Sequence, residues 1–496
     1  MTRPFLAGYD VAVVPAPAAS TPLRTDIAGF AGRAARGPVG SAYPVRDFAE
    51  FTRVFGPARV TEGHLAHAVD GYFRNGGDLA YVVRVLGAGA RPATGVLRIG
   101  REPPITATAT SPGDWADDLR VLATRRTIDG GRTAWTVSAR PVGADEEVTR
   151  AAELADAAGR IRLVRFDLPN RRTGDTVPSG PVSVAWPASG DYPARLSGGD
   201  NGATVGEEDY RAAVQPLLEQ PEIALLVLPD LWDDLGPAGY GFAGSLAGWV
   251  HATLDRMLLL DLPASANEST AAALAAIALL QREIGTPRAR AVAVYHPWLV
   301  IAEPGGRADA APLRVPPGGH VAGLVSRLDR ERGPSRTPAN APLVDVVDVA
   351  GGRVPVSQFA LVEQRVNPIR GVPGRGLQVW GGRTFDAATD ARFLAHRRLS
   401  HRLIRAARRA AEPLVFEPDG PPLHLALTRA VSTVLLEAYR SGALLGRSPD
   451  EAFAVATTSV DGLVVCEIGF APAAPMEFIT VRLTLGPEGR LEVIER

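Results

Sequence analysis

The chain has 496 residues, 46% of them hydrophobic, a net charge of −1 and no lysine; this allows several domains of roughly 100–200 residues and excludes a globally cationic nucleic-acid binder. Its lone cysteine, Cys466, excludes an intrachain disulfide and a cysteine-based metal cluster, and reads as a small apolar residue in a strand at 463–468. No apolar run reaches the roughly 18 residues that span a bilayer, and the opening MTRPFLAGYDVAVVP lacks a signal-peptide pattern, which points to synthesis and folding in the cytoplasm.

Residues 1–22 hold one β-prone run, Tyr9–Val14, ahead of a stiff PAPAAS leash. A lone strand leaves its backbone groups unpaired. Tyr9, Val11 and Val13 are therefore expected to add to a sheet edge, in this subunit or in another. Asp26–Gly32 reads as a buried strand, Val45–Phe55 and Leu65–Asn75 as helices, and Ala80–Val85 as the next strand. Asn75-Gly76-Gly77 supplies a helix stop. Residues 88–195 change character: Thr, Val and charged residues alternate in short runs such as Val121–Arg125 and Thr133–Ala139, the mark of an inserted β-rich domain. One short helix is predicted there, Glu147–Gly159.

From Leu196 an α/β pattern resumes. Helices are predicted over Glu207–Glu219, Ser245–Arg256 and Ser269–Ile284, with strands at Ile223–Leu228, Met257–Asp261 and Ala291–Tyr295. Strands alternating with helices imply an α/β fold, with a mostly parallel sheet covered by helices on both faces. The sheet is expected to continue through the strands at 26–32 and 80–85. Residues 303–345 read as loop-rich. The expected organisation is an N-terminal arm (1–22), a discontinuous α/β domain (23–87 and 196–350), the inserted domain (88–195), a C-terminal α+β domain (351–485) and a C-terminal arm (486–496).

The C-terminal region opens on a Gly- and Pro-punctuated loop that leads into a strand at Leu377–Trp380. A helix follows in which Arg398, Arg402, Arg405 and Arg409 fall on one line at 100° per residue, apart from a stripe of Leu399, Leu403, Ala407 and Ala410. Like charges at this spacing repel by roughly 0.2–0.5 kcal/mol per pair. The line is therefore either a solvated face or a rail for an acidic partner, a task suited to the planar fork of arginine. A second helix, Leu423–Ser441, is apolar at Leu427, Val431, Val434, Leu435 and Ala438. Strands follow at Phe453–Thr457, Leu463–Gly469 and Phe478–Leu485. Leu491–Glu495 is a second candidate arm strand, represented by Leu491, Val493 and Ile494.

Motifs that would carry enzyme chemistry are weak. Gly239-Tyr240-Gly241-Phe242-Ala243-Gly244 fits G-x-G-x-x-G and leaves a dinucleotide-binding enzyme as the alternative reading, with Asp261 as its ribose carboxylate. The glycines should follow their strand at once, yet PDLWDDLGPA intervenes, and Asp233 and Asp234 would repel phosphate. The eight histidines are scattered without a metal-binding spacing. Asp200, Asp255 and Asp261 read as turn or cap residues before cation ligands. No catalytic residue, cofactor or metal is assigned.

The chain resembles contractile tail sheath proteins of phage tails and related injection systems. Resemblance is carried by Asn367-Pro368-Ile369-Arg370, Gly374-Arg375-Gly376, Val379-Trp380-Gly381-Gly382-Arg383-Thr384, Arg397-Arg398-Leu399, Phe416-Glu417-Pro418, Gly442-Ala443-Leu444 and Ala471–Phe478. Further matches are Arg36-Gly37-Pro38, Phe73–Gly77 with Tyr81–Val85, Tyr295–Trp298, Pro316–Gly323 and Thr337–Asn340. The resemblance implies a structural subunit that stacks with copies of itself in rings, six to a ring, around an inner tube, and that meets baseplate and terminator or cap proteins. It also implies that the arginine helix faces the tube and that the terminal strands tie neighbouring copies together. Neither nucleic acid nor membrane insertion is expected.

Overall fold

The computed structural model describes residues 24–58, 63–99, 103–127, 132–141, 146–168, 189–302, 311–351, 356–388, 391–473, 479–485 and 491–495. They separate into a large unit, Thr25–Arg397, and a second built on Arg398–Arg496. The large unit thus runs past the boundary expected at residue 350. The reason is strand pairing: Val366–Val372 and Gly376–Val379 both belong to its main sheet. Tyr9–Val14 lies outside the described residues.

Nine strands make the main sheet, in the order Ala341–Pro342, Gly376–Val379, Val366–Val372, Val292–His296, Met257–Asp261, Leu225–Val227, Ala28–Gly32, Ala80–Arg84, Tyr43–Val45. The run from Val366–Val372 to Ala80–Arg84 is parallel throughout, and the strands at both margins are antiparallel. Successive residues of a strand point to opposite faces, and two cores divide accordingly. Leu226, Leu258, Leu260, Val292 and Val294 join apolar residues of helices Glu207–Glu219, Ala238–Thr253 and Thr270–Ile284. Leu225, Val227, Met257, Leu259 and Ala293 join those of Phe48–Phe55, Leu65–Arg74 and Gly318–Arg332. Near-continuous apolar strands such as MLLLD, buried at every position, follow from this double covering.

Three local expectations are corrected. Helix 318–332 occupies the centre of the stretch read as loop-rich. Its glycines misled, because Gly319 and Gly323 sit one turn apart where the helix lies against Leu65–Arg74, and only a hydrogen fits between the backbones. Helix 48–55 begins later than expected: Asp47 caps it by accepting from the Glu50 amide, and Tyr43–Val45 pairs as a strand with Ala80–Val82. Finally, the segment read as helix from Glu147 is a strand over Glu147–Ala151 followed by one turn of helix, Leu154–Ala158. Pairing with Thr133–Arg140 outweighs the helical preference of its glutamates and alanines.

The β-rich stretch forms a three-stranded and a four-stranded sheet. They enclose their own core, which includes Leu97, Ile105, Val121, Trp135, Val137 and Val164.

Candidate assembly surfaces and the decoy sites

The second unit is built on helices Leu394–Ala411, which enters it at Arg398, and Pro421–Arg440, together with an antiparallel sheet. Leu399, Leu403 and Ala407 are buried on the first helix, as are Leu423, Leu427, Val431 and Leu435 on the second. Leu403, Ile404, Ala407, Val431, Leu435, Ile468 and Phe470 converge on one small apolar gap, so both helices meet the strand Leu463–Phe470. Cys466 is buried on that strand, and burial raises its thiol pKa.

The arginine line is not a uniform exposed rail. Arg398 and Arg405 are 4% and 2% exposed, Arg402 is half-buried and Arg409 is exposed. Helical spacing sets these side chains on one line of the helix but does not say what covers them. Arg402 and Arg409 border a shallow groove of about 120 Å³ between the two helices, together with Leu399, Leu403, Val434 and Glu437. This is the part of the line that the second unit presents as a surface.

The sheet of this unit runs Phe453–Val460, Leu463–Phe470, Ile479–Leu485, Leu491–Glu495, each strand antiparallel to the next. The last strand, expected to be a loose arm, pairs within its own chain: Leu491 stands opposite Leu485, Val493 opposite Leu483 and Ile494 opposite Arg482. Backbone pairing on one side of this strand is thereby satisfied without a second copy. Among the described residues, the outer edges of Phe453–Val460 and Leu491–Glu495 have no strand partner. Such edges are templates for strand addition.

Asp419, His424 and Ser459 form a cluster that superficially resembles a hydrolytic triad. His424 Nε2 lies 2.8 Å from Asp419 Oδ1 and 2.9 Å from Ser459 Oγ, and Ser459 Oγ lies 2.8 Å from both Asp419 oxygens. A working triad places its acid and its nucleophile on opposite ring nitrogens. Here one nitrogen meets both, and the serine hydroxyl donates to the carboxylate. The cluster joins the start of helix 421–440 to the strand 453–460, and the Ser459 hydrogen bond holds Asp419 below its ordinary pKa.

The dinucleotide reading is overturned. Gly239, Gly241 and Gly244 all lie inside the helix Ala238–Thr253, and a second short helix, Leu231–Leu235, separates them from the strand Leu225–Val227. A phosphate loop needs free amides at the mouth of its helix. Gly244 instead allows close approach to the backbone of Glu283 on the neighbouring helix.

Beyond the carboxyl ends of Ala28–Gly32 and Leu225–Val227, where an open α/β sheet commonly binds its ligand, acidic side chains are engaged internally. Asp230 accepts from the amides of Arg33, at 2.8 Å, and of His64; burial raises its pKa. Asp233 meets His64 Nε2 at 2.9 Å, which lowers the pKa of the acid. Asp234 pairs with Arg33 at 2.9 Å and accepts from the Tyr210 hydroxyl at 2.8 Å, and burial pushes its pKa up to about 6. Of the other acids singled out, Asp200 accepts from the Gly202 amide in a turn, Asp255 pairs with Arg256 at 2.8 Å, and Asp261 is buried with its pKa pushed up to about 8. Among the described residues, no group of three or more acidic, histidine or cysteine side chains could hold a metal ion, and no helix is long and apolar enough to cross a membrane.

No family profile matches the sequence, and no curated protein does. Solved structures do. The sheath tail protein of Desulfitobacterium hafniense is 14% identical, covers 97% of this chain and 100% of its own, and superposes with a TM-score of 0.62. The sheath tail protein of Listeria innocua is 10% identical over 93% of this chain and 95% of its own, with a TM-score of 0.63. The contracted helical sheath of the anti-feeding prophage is 20% identical over 96% of this chain and 98% of its own, with a TM-score of 0.54. The chain has the fold of the contractile tail sheath proteins.

Proposed function

We propose that this chain is the structural subunit of a contractile sheath. Copies polymerise around an inner tube, and the sheath then shortens to drive the tube through a target envelope. The observation that carries this reading is the coverage: sheath chains match from end to end, 97% of this chain and 100% of the first relative, so the likeness is not confined to a widespread α/β core. A solved relative is described as a helical sheath in its contracted state, and another belongs to a baseplate. An open contact between identical subunits generates helical arrays. Contraction is then a rigid-body rearrangement from a metastable lattice to one of lower energy, with no nucleotide consumed at firing.

Subunit linkage is assigned to the terminal strands. The edges of the four-stranded sheet that have no strand partner among the described residues suit strand addition, which gives main-chain bonds that survive rotation of the subunits. Tyr9, Val11 and Val13 of one copy would add to such an edge on another, while Leu491, Val493 and Ile494 supply one of those edges. Tube contact is assigned to the helix of Arg398, Arg402, Arg405 and Arg409, with Arg402 and Arg409 at its accessible part. Six-fold rings, baseplate and cap proteins complete the particle, which is assembled in the bacterial cytoplasm as a phage tail or phage-derived injection machine. The β-rich insertion is placed on its outer side.

Arg402→Glu combined with Arg409→Glu should leave the subunit folded and stop it from pelleting with purified tube; unchanged co-sedimentation removes the tube assignment. Deleting residues 1–16 should give monomers or broken rings under negative stain, and long intact sheaths would end the linkage assignment. If the full chain at high concentration, with tube present, forms no ordered polymer, the sheath reading itself fails.

A further inference from the structure

The outer face of the four-stranded sheet in the β-rich insertion carries a charge pattern that the fold alone does not call for. Its strands run Gly190–Arg195, Arg120–Thr127, Thr133–Arg140, Glu147–Ala151. Val121, Ala123, Val137 and Ala139 point into the insertion's core, so their neighbours in sequence point out. On that outer side Arg195 stands directly opposite Arg120, and Arg120 directly opposite Arg140. Three arginines thus cross three adjacent strands in one row, about 10 Å long at the usual strand spacing.

Like charges directly opposite each other on a sheet are destabilising, and compensation here is uneven. Arg195 donates to Asp118 at 2.6 Å, while among the described residues Arg140 has only Glu146, at 3.9 Å. Arg120, in the middle, has no hydrogen-bond or ion-pair partner among the described residues, and it is exposed. The next row on the same face is largely apolar: Pro193 stands opposite Leu122, and Leu122 and Val148 flank Ser138. Leu122 is 38% and Val148 54% exposed.

We propose that this face docks an acidic polypeptide segment, with carboxylates on the arginine row and an apolar flank over Leu122 and Val148. Charge complementarity selects the sign of the partner, and guanidinium forks bond carboxylates bidentately. The neighbouring aliphatic row selects polypeptide over nucleic acid: single strands are held by stacking on aromatic rings, and the outward positions of these strands carry none. The surface is independent of the sheath reading, since it needs neither tube nor neighbouring ring.

Fluorescence anisotropy tests it with the full-length chain and two labelled probes, a peptide of alternating Glu and Val and a single-stranded dT oligonucleotide of equal charge. The peptide should bind. Arg120→Glu should weaken it about tenfold and Leu122→Ser by a smaller factor, and the oligonucleotide should bind less well than the peptide. Arg120→Thr removes the central like charge while keeping a strand-compatible residue, so it should lose peptide binding at an unchanged or raised melting temperature. Absence of peptide binding, equal binding by Arg120→Glu, or preference for the oligonucleotide would overturn the proposal. A lowered melting temperature for Arg120→Thr would do so too, since it would give the row a structural role.

Discussion

Gly323→Ala tests whether the glycines of Gly318–Arg332 are there for packing. A methyl group at residue 323 would lie 2.2 Å from the Tyr72 carbonyl oxygen, and one at residue 319 would lie 2.2 Å from the Ala68 carbonyl oxygen. Ordinary contact begins near 3.4 Å, so the helices must part by about 1.2 Å, and backbone atoms cannot rotate away. Overpacking of this kind costs about 1–3 kcal/mol, with a carbonyl clash at the upper end. Replacing a helical glycine by alanine returns about 1 kcal/mol. The net expectation is a loss of about 2 kcal/mol, or roughly 2–4 °C in melting temperature for a unit of this size. Gly241→Ala is the control: its helix position is exposed, nothing lies within 4 Å of the added carbon, and the propensity gain alone remains. Thermal unfolding followed by circular dichroism should therefore move in opposite directions for the two variants. A stabilising Gly323→Ala would refute the argument, because the residue would then be an ordinary helix position.

Other outcomes follow from burial and charge. His296 is fully buried, with neither ring nitrogen hydrogen-bonded among the described residues, and desolvation lowers its pKa from 6.5 to about 4. Between those values the unfolded chain binds the extra proton, so acidification through the window destabilises the folded protein. Relative to the parent, His296→Leu should gain about 1.4 kcal/mol for each pH unit from 6.5 down toward 4, read from urea midpoints; a difference that does not vary with pH would show that the imidazole charges in place. Asp230→Asn puts an amide where two backbone N–H groups now meet a carboxylate, and should cost about 1–3 kcal/mol in thermal unfolding. Arg405→Ala removes a side chain that is 2% exposed and should destabilise clearly, whereas Arg409→Ala on the exposed end should stay within about 0.5 kcal/mol. Equal effects would mean that the helix is covered alike at both positions.

Much of the architecture was legible because it rests on local rules. The buried strands Ala28–Gly32, Ala80–Arg84, Met257–Asp261 and Val292–His296 announce themselves as apolar runs, and Ser269 and Asn75 mark helix ends by their own chemistry. The period of the β-rich stretch, the helix that carries the arginines and the apolar side of Pro421–Arg440 are likewise properties of a few consecutive residues.

Tertiary contact decided what local rules leave open. Gly244, Gly319 and Gly323 read as loop glycines until neighbouring backbones are seen to fill the space a side chain would take. The four arginines share a helical line, but burial splits them, since exposure depends on what lies opposite and not on spacing. Leu491–Glu495 is strand-like in sequence, yet only pairing chooses its partner, because a backbone edge carries no residue code. The row Arg195–Arg120–Arg140 joins positions far apart in the chain and exists only through strand register, which no single stretch of sequence encodes.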